Sequence, residues 1–308
     1  MSAFLDALRS GRVLLMDGAM GTQLQRTGIT SRECRELWNL THPDRVQAIH
    51  RSYVDAGAEI LLTNTFLSNP SHLDDFGLDD RLEEINRVAV RLARKTVGRS
   101  RFVFGDVGPL LDGSGWPEFA DYRELARVLA SLDGVDGVLF ETFSSPRVLS
   151  AIEYAFHRIA EVETPLLLSL AYQRSPSGQL ATFSGHGPET YARHAERHGV
   201  AALGVNCGQD IDMDDIIEII RRYRVVTDLP LFARPNAGTP TKQGDQWIYP
   251  HTPEAMAARL PELLEVGACM VGGCCGTTPA HITAFRTVID AWKERRWREQ
   301  DKRSFPDL

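Results

Sequence analysis

The sequence predicts an α/β fold, a (β/α)8 TIM barrel, and three observations predict it. Short β-rich apolar runs alternate with amphipathic helical patterns along the whole chain, eight strand–helix units with no strand–strand hairpin between them. Parallel strands need such crossovers, and eight of them close naturally into a barrel. A carboxylate, amide or thiol also stands at the C-terminal end of nearly every run, the face on which barrels gather their ligands. The alternative is an open doubly wound sheet, but no Gly-x-Gly-x-x-Gly turn follows the first strand.

The predicted strands are 13–17, 59–64, 101–106, 137–141, 165–171, 201–206, 230–234 and 268–272. Between them, the helix 43–56 buries Val46, Ile49, Tyr53 and Val54. The helix 80–97 carries Leu82, Ile85, Val88, Ala89 and Leu92 at helical spacing. Further helices are predicted at about 121–132, 146–162, 188–198, 212–223, 253–266 and 279–296. The longest irregular stretches, 25–42, 109–120 and 173–187, follow the first, third and fifth strands, and 235–251 follows the seventh. In a barrel all four lie on the ligand face. No low-complexity linker or abrupt change of composition interrupts the chain, so residues 1–308 read as one domain. The charged tail, about 293–308, reads as a solvated helix end, with a contact between copies of a homo-oligomer as the alternative.

Composition excludes several classes. With 43% hydrophobic and 24% charged residues the chain has the makings of an ordinary globular core. A net charge of −7 without a long basic run argues against a nucleic-acid partner. Residues 1–12 hold no sustained apolar segment and include Asp6, so they do not read as a signal peptide, and no stretch has the length to cross a membrane. The five cysteines are an odd number, three of them set up for metal, which fits a cytoplasmic location. Cys34, in a loop, and Cys269, in a strand, read as structural.

Those three cysteines carry the chemistry. Residues 271–279 read Val-Gly-Gly-Cys-Cys-Gly-Thr-Thr-Pro, an apolar run followed by a helix start, with Thr277 or Thr278 as N-cap and Pro279 in the first turn. Cys207 ends another apolar run, Gly-Val-Asn-Cys-Gly. Cys207, Cys274 and Cys275 at the ends of two strands make a three-thiolate zinc site with one coordination position open. The competing readings are buried cysteines acting as small hydrophobes, and a strained disulfide between the neighbours Cys274 and Cys275. Zinc on three thiolates is a poor source of hydroxide, but it can bind a fourth thiol and strip its proton. Thiol alkylation is the reaction class this favours. Asp17 and Glu141, at the ends of the first and fourth strands, suit an ammonium group, and backbone amides of the glycine-rich first loop suit a carboxylate. Together these describe an amino-acid thiol. A zinc hydrolase fits less well: His186, His194, His198 and His251 are scattered, although His186 lies where it could line the mouth.

The order of motifs resembles the homocysteine S-methyltransferase family, and in particular the homocysteine-binding modules of cobalamin-dependent methionine synthases. The resemblance rests on Asp-Gly-Ala-Met-Gly-Thr at 17–22, His-Arg-Ser-Tyr at 50–53 through Leu-Thr-Asn-Thr-Phe at 62–66, and Phe-Glu-Thr-Phe at 140–143. Val-Asn-Cys at 205–207, Pro-Asn-Ala-Gly at 235–238 and the double-cysteine run complete it, so the likeness spans about 11–288. It implies Zn2+ on Cys207, Cys274 and Cys275 and methylation of L-homocysteine to methionine. It also implies Asp17 and Glu141 at the substrate amino group, and Ala19, Gly21 and Thr22 near the carboxylate. Asn236 would lie beside the metal, filling its open position when substrate is absent.

For the methyl donor the resemblance points to a separate methylcorrinoid protein, because the sequence shows no folate-binding barrel and no Asp-x-His-x-x-Gly loop. A sulfonium, S-methylmethionine or S-adenosylmethionine, comes second; relatives using these commonly read Leu-Ala-Thr where this chain has Met20, Gly21 and Thr22. Betaine comes third. It wants an aromatic cage, and Leu67 stands where betaine enzymes carry an aromatic, leaving Trp38, Phe66 and Trp116 as candidates. A rival of another class is a non-catalytic thiol- or zinc-binding barrel.

Overall fold

The structure, a computed structural model, describes residues 2–30, 32–98, 100–109, 122–158, 164–175, 177–243 and 246–304. Its strands are β1 (Leu14–Leu15), β2 (Ile60–Leu62), β3 (Phe102–Val107), β4 (Gly137–Phe143), β5 (Leu166–Leu170) and β6 (Tyr172–Arg174). They continue with β7 (Leu180–Thr182), β8 (Val200–Asn206), β9 (Leu231–Arg234), β10 (Thr241–Gln243), β11 (Gln246–Ile248) and β12 (Ala268–Val271). Among the described residues the helices are α1 (Ala3–Arg9), α2 (Gly21–Arg26), α3 (Trp38–Thr41), α4 (Pro43–Asp55), α5 (Pro70–Asp74) and α6 (Leu82–Val97). They continue with α7 (Tyr122–Ser131), α8 (Arg147–Arg158), α9 (Pro188–Ala195), α10 (Met213–Arg224), α11 (Pro253–Glu265) and α12 (Pro279–Ser304).

Eight strands form one parallel sheet in the order β1-β12-β9-β8-β5-β4-β3-β2. A parallel bridge between Met16 and Ile60 closes the ring. The Asp17 amide donates to the Ile60 carbonyl at 2.9 Å, and the Glu59 amide to the Leu15 carbonyl at 2.7 Å. The fold is therefore the (β/α)8 barrel that the alternating pattern predicts. All eight predicted barrel strands are present, with ends displaced by a residue or two.

Two hydrophobic layers follow from the pleat. Residues such as Leu14, Met16, Ile60, Leu62, Phe104, Leu139, Leu167, Phe232 and Met270 form one buried cluster, and the other face of the strands packs against the helices. Helix α1, which the sequence reading did not predict, adds Phe4 to the first cluster, edge-on to Phe102 and Phe104 with ring centroids 5.6 and 4.7 Å away. Complete burial of such a ring is worth about 1.5–3 kcal/mol. At seven residues the helix is too short to show a periodic pattern.

The expectation that no hairpin occurs is corrected. β6 pairs with β7, and β10 with β11, both antiparallel. They lie inside the loops after the fifth and seventh barrel strands, and each ladder is only three residues long and partly polar. Helix α12 also runs to Ser304, beyond the predicted end, because nothing between 297 and 304 breaks a helix. Trp116 and the loop around it lie outside the described residues.

A candidate metal and thiol site at the barrel mouth

Cys207 immediately follows β8 and adopts a positive φ of 51°, with Gly208 next at 105°. Holding a cysteine there costs about 1–3 kcal/mol, and the turn lifts its side chain out of the strand direction into the cavity. Cys274 and Cys275 leave β12 on a turn that is stitched to its neighbours. The Gly273 amide donates to the Asp17 carbonyl at 3.0 Å, the Cys274 amide to Pro235 at 2.9 Å, and the Ala237 amide to Cys275 at 2.9 Å. A Cβ at Gly272 would meet the Asp17 carbonyl oxygen at 2.7 Å, so the close approach requires glycine. Beneath the turn Thr277, fully buried, donates its hydroxyl to the Cys274 carbonyl at 2.7 Å and accepts the Ala19 amide at 3.1 Å.

The outcome is that the sulfurs of Cys207, Cys274 and Cys275 all lie within 4.8 Å of one another. Cys207 would ionise first: S–H donation from Cys274 and Cys275, aided by the Asn236 amide, pulls its thiol well below the ordinary range. Cys274 is pushed up to about 11 by donating to Cys207, and Cys275 is driven up for the same reason. Three converging thiols, one of them lowered by the other two, offer a cation the donors it takes, since metal binding deprotonates its cysteine ligands. Asn236 directs its Nδ2 to Cys207 Sγ at 3.6 Å, while its Oδ1 is buried without a partner. Both observations fit zinc. Asn206, another strand-end residue, is a strut: its Oδ1 accepts from Ser169 and from the Thr142 amide, at 2.6 and 3.1 Å, and its Nδ2 reaches Cys274 Sγ at 3.7 Å.

Asp17 and Glu141 also converge, and they do so on a residue the sequence reading missed. Arg234, the last residue of β9, donates to Asp17 Oδ1 at 3.1 Å and to Glu141 Oε1. All three side chains are buried. Burial pushes both carboxyls up to about 7, against the pull of Arg234. Asp106 joins them, raised well above the carboxylate range by burial and by Glu141, with its Oδ1 unpartnered. Burial opposes the Arg234 charge, but Glu141 and Asp17 outweigh it and hold the guanidinium cationic. Three carboxyls thus face one guanidinium, whose Nε is also without a partner.

These groups open on a cavity of about 420 Å³. Ala19, Gly21 and Thr22 line it, although the Ala19 amide is committed to Thr277 and the Thr22 hydroxyl accepts the Gly276 amide at 3.3 Å. Arg35, also missed, lines the same wall; a Cβ on Gly21 would sit 2.9 Å from its guanidinium. Phe66, Trp247 and Tyr249 supply aromatic surface. Trp38 instead stacks on His42 at 4.3 Å within the protein. His186 bonds within its own turn, to the Ser184 carbonyl at 3.0 Å, and is not part of the cavity wall.

A barrel whose mouth gathers three thiols and a buried carboxyl cluster around one cavity has the makings of an enzyme active site. The sequence model of the homocysteine S-methyltransferase family matches residues 14–289, and the chain belongs to that family. It is 34% identical to methionine synthase of Mycobacterium tuberculosis over 307 residues, 92% of this chain and 25% of that protein. With methionine synthase of Mycobacterium leprae it shares 33% over 299 residues, 90% of this chain and 24% of the relative. The chain therefore spans about a quarter of the length of these relatives. Among solved structures it resembles the metallated form of the Escherichia coli homocysteine methyltransferase MmuM, with a TM-score of 0.73, 26% identity, and coverage of 92% of this chain and 99% of that one.

Proposed function

We propose that the chain acts as a single homocysteine-binding barrel, a zinc-dependent homocysteine S-methyltransferase that forms methionine. One observation carries this reading: sulfurs from two distant segments, Cys207 and the Cys274–Cys275 pair, meet within 4.8 Å at the mouth of the cavity. Zn2+ held by these three cysteines would supply a position at which an incoming thiol loses its proton and becomes nucleophilic.

The chain's own residues would do the rest. Asp17 and Glu141, with Asp106 behind them, present more carboxyls than Arg234 can neutralise, and the substrate ammonium would bring the missing positive charge. Arg35, which lines the cavity, would take the substrate carboxylate beside the Gly21 and Thr22 amides. Ala19 would shape that wall without donating. Asn236, beside Cys207, would occupy the open position until substrate arrives. Buried between these two anchors, the substrate sulfur would be held at the cysteine end of the cavity with water largely displaced, which strengthens every charge contact there. Three thiols kept reduced in one site suit the cytoplasm.

The donor we propose is a methylcorrinoid carried by a separate protein, in keeping with the methionine synthase relatives. A sulfonium donor is the second reading, favoured by the aromatic surface of Phe66, Trp247 and Tyr249, which suits a cation. Betaine comes after it. A donor panel on zinc-loaded protein with homocysteine tests the order. Methionine should appear with the methylcorrinoid; turnover with S-methylmethionine or betaine alone would overturn the assignment. Homocysteine binding without transfer from any donor would mark a non-catalytic barrel.

A further inference from the structure

We propose that Cys34, Glu36 and His72 form a second divalent-metal site, separate from the three-cysteine centre, which fastens the loop carrying Arg35 to helix α5. The Sγ of Cys34 lies 3.6 Å from Glu36 Oε2, and His72 Nε2 lies 4.0 Å from the same oxygen. All three donor atoms fall within 4.8 Å of one another. Around a tetrahedral zinc, with ordinary bond lengths, neighbouring sulfur, nitrogen and oxygen ligands stand about 3.4–3.6 Å apart. Closing to that spacing needs only a small swing of His72, the partly exposed member of the trio, whose neighbour Phe76 meets its ring edge-on at 5.3 Å.

The chemistry of the donors points the same way. A thiolate, a carboxylate and an imidazole are the ligand types zinc takes, and they leave a fourth position for water on the His72 side. Glu36 supplies the strongest reason. Its side chain is 2% exposed. Its Oε1 accepts the Leu67 amide at 3.2 Å, and its other oxygen meets the Cys34 thiol. Among the described residues, no lysine or arginine lies within ion-pair distance of it. A buried carboxylate facing a thiol and an imidazole offers a dication an anionic ligand, and the ion would in turn balance that charge. As the ion binds, the Cys34 thiol passes its proton to solvent.

Sequence placement gives the site a consequence. Cys34 and Glu36 belong to the stretch after β1, His72 to the helix after β2, and Arg35 between the two ligands lines the substrate cavity. Metal at this trio would fix the backbone that presents Arg35. That last step rests on the proposed role of Arg35 for the substrate carboxylate; the metal site itself does not.

Counting metal tests it. Protein equilibrated with Zn2+ and freed of excess ion should hold two equivalents by elemental mass spectrometry. Cys34→Ala and His72→Ala should each hold one, and so should Cys207→Ala, which keeps the second site. His72→Ala removes a partly exposed side chain, so it decides the matter should Cys34→Ala fail to fold. In a Cys207→Ala, Cys274→Ala, Cys275→Ala protein loaded with Co2+, a single-thiolate charge-transfer band should remain and vanish on adding His72→Ala. His72→Ala should also raise KM for homocysteine several-fold while leaving KM for 3-aminopropane-1-thiol, which lacks the carboxylate, unchanged. One equivalent in the unaltered protein, undiminished in Cys34→Ala and His72→Ala, would overturn the proposal. One equivalent that His72→Ala abolishes and Cys207→Ala retains would uphold it while refuting the three-cysteine centre.

Discussion

Arg234 is the residue on which the charge balance of the site turns. Replacing it with methionine would leave Asp17 and Glu141 buried without their cation, a loss of about 3–5 kcal/mol. Urea unfolding at pH 8 should show that loss. It should shrink at pH 5, where carboxyls poised at about 7 are protonated and no longer need a partner. The sign for substrate runs the other way. Both acids hold protons more tightly in the folded protein than in the unfolded chain, and they become able to attract an ammonium only as pH rises through 7. KM for homocysteine should therefore fall between pH 6 and 8 relative to KM for 4-mercaptobutanoate, which has no amino group; a constant ratio would remove the two carboxyls from that role. Asp17 and Glu141 were legible as lone acids at the ends of apolar runs. Arg234 was not, because it closes an apolar strand whose other members give no sign that a charge is wanted inside. Arg35 sits in an irregular stretch, where no period marks which side chain faces the cavity.

At the scale of elements, the turn after β12 positions two of the three thiols, and Thr277 ties it to the first loop. Thr277→Val removes both the hydroxyl donor to Cys274 and the acceptor for the Ala19 amide. A loss of about 1–3 kcal/mol in stability is expected, with weaker zinc retention measured by chelator competition. Unchanged zinc affinity would mean that the backbone bonds to Asp17 and Pro235 suffice. Such long-range stitching has no local signature, so the sequence revealed the cysteines and the helix start but not the clamp. Strand–helix alternation was legible throughout because buried parallel strands read as continuous apolar runs. The two hairpins were not: Thr241–Gln243 is exposed on every residue and offers no alternation to read.

The whole barrel has its core independently of the site, through the two buried clusters on either face of the sheet. Removing metal should consequently soften the protein without unfolding it. With ligand at a hundred times its Kd, mass action contributes about 2.7 kcal/mol, which for a chain of this size corresponds to a rise in Tm of about 4 °C. Calorimetry with and without a chelator reads this directly, and unfolding on chelation would show that the metal is part of the fold. None of the described helices is long and apolar enough to cross a membrane.

The most direct measurement is X-ray absorption at the zinc edge on His72→Ala protein, which on this account holds one ion, before and after homocysteine is added. Three sulfur neighbours with one lighter atom should give way to four sulfurs. A zinc shell poor in sulfur, or one that homocysteine leaves unchanged, would contradict the account.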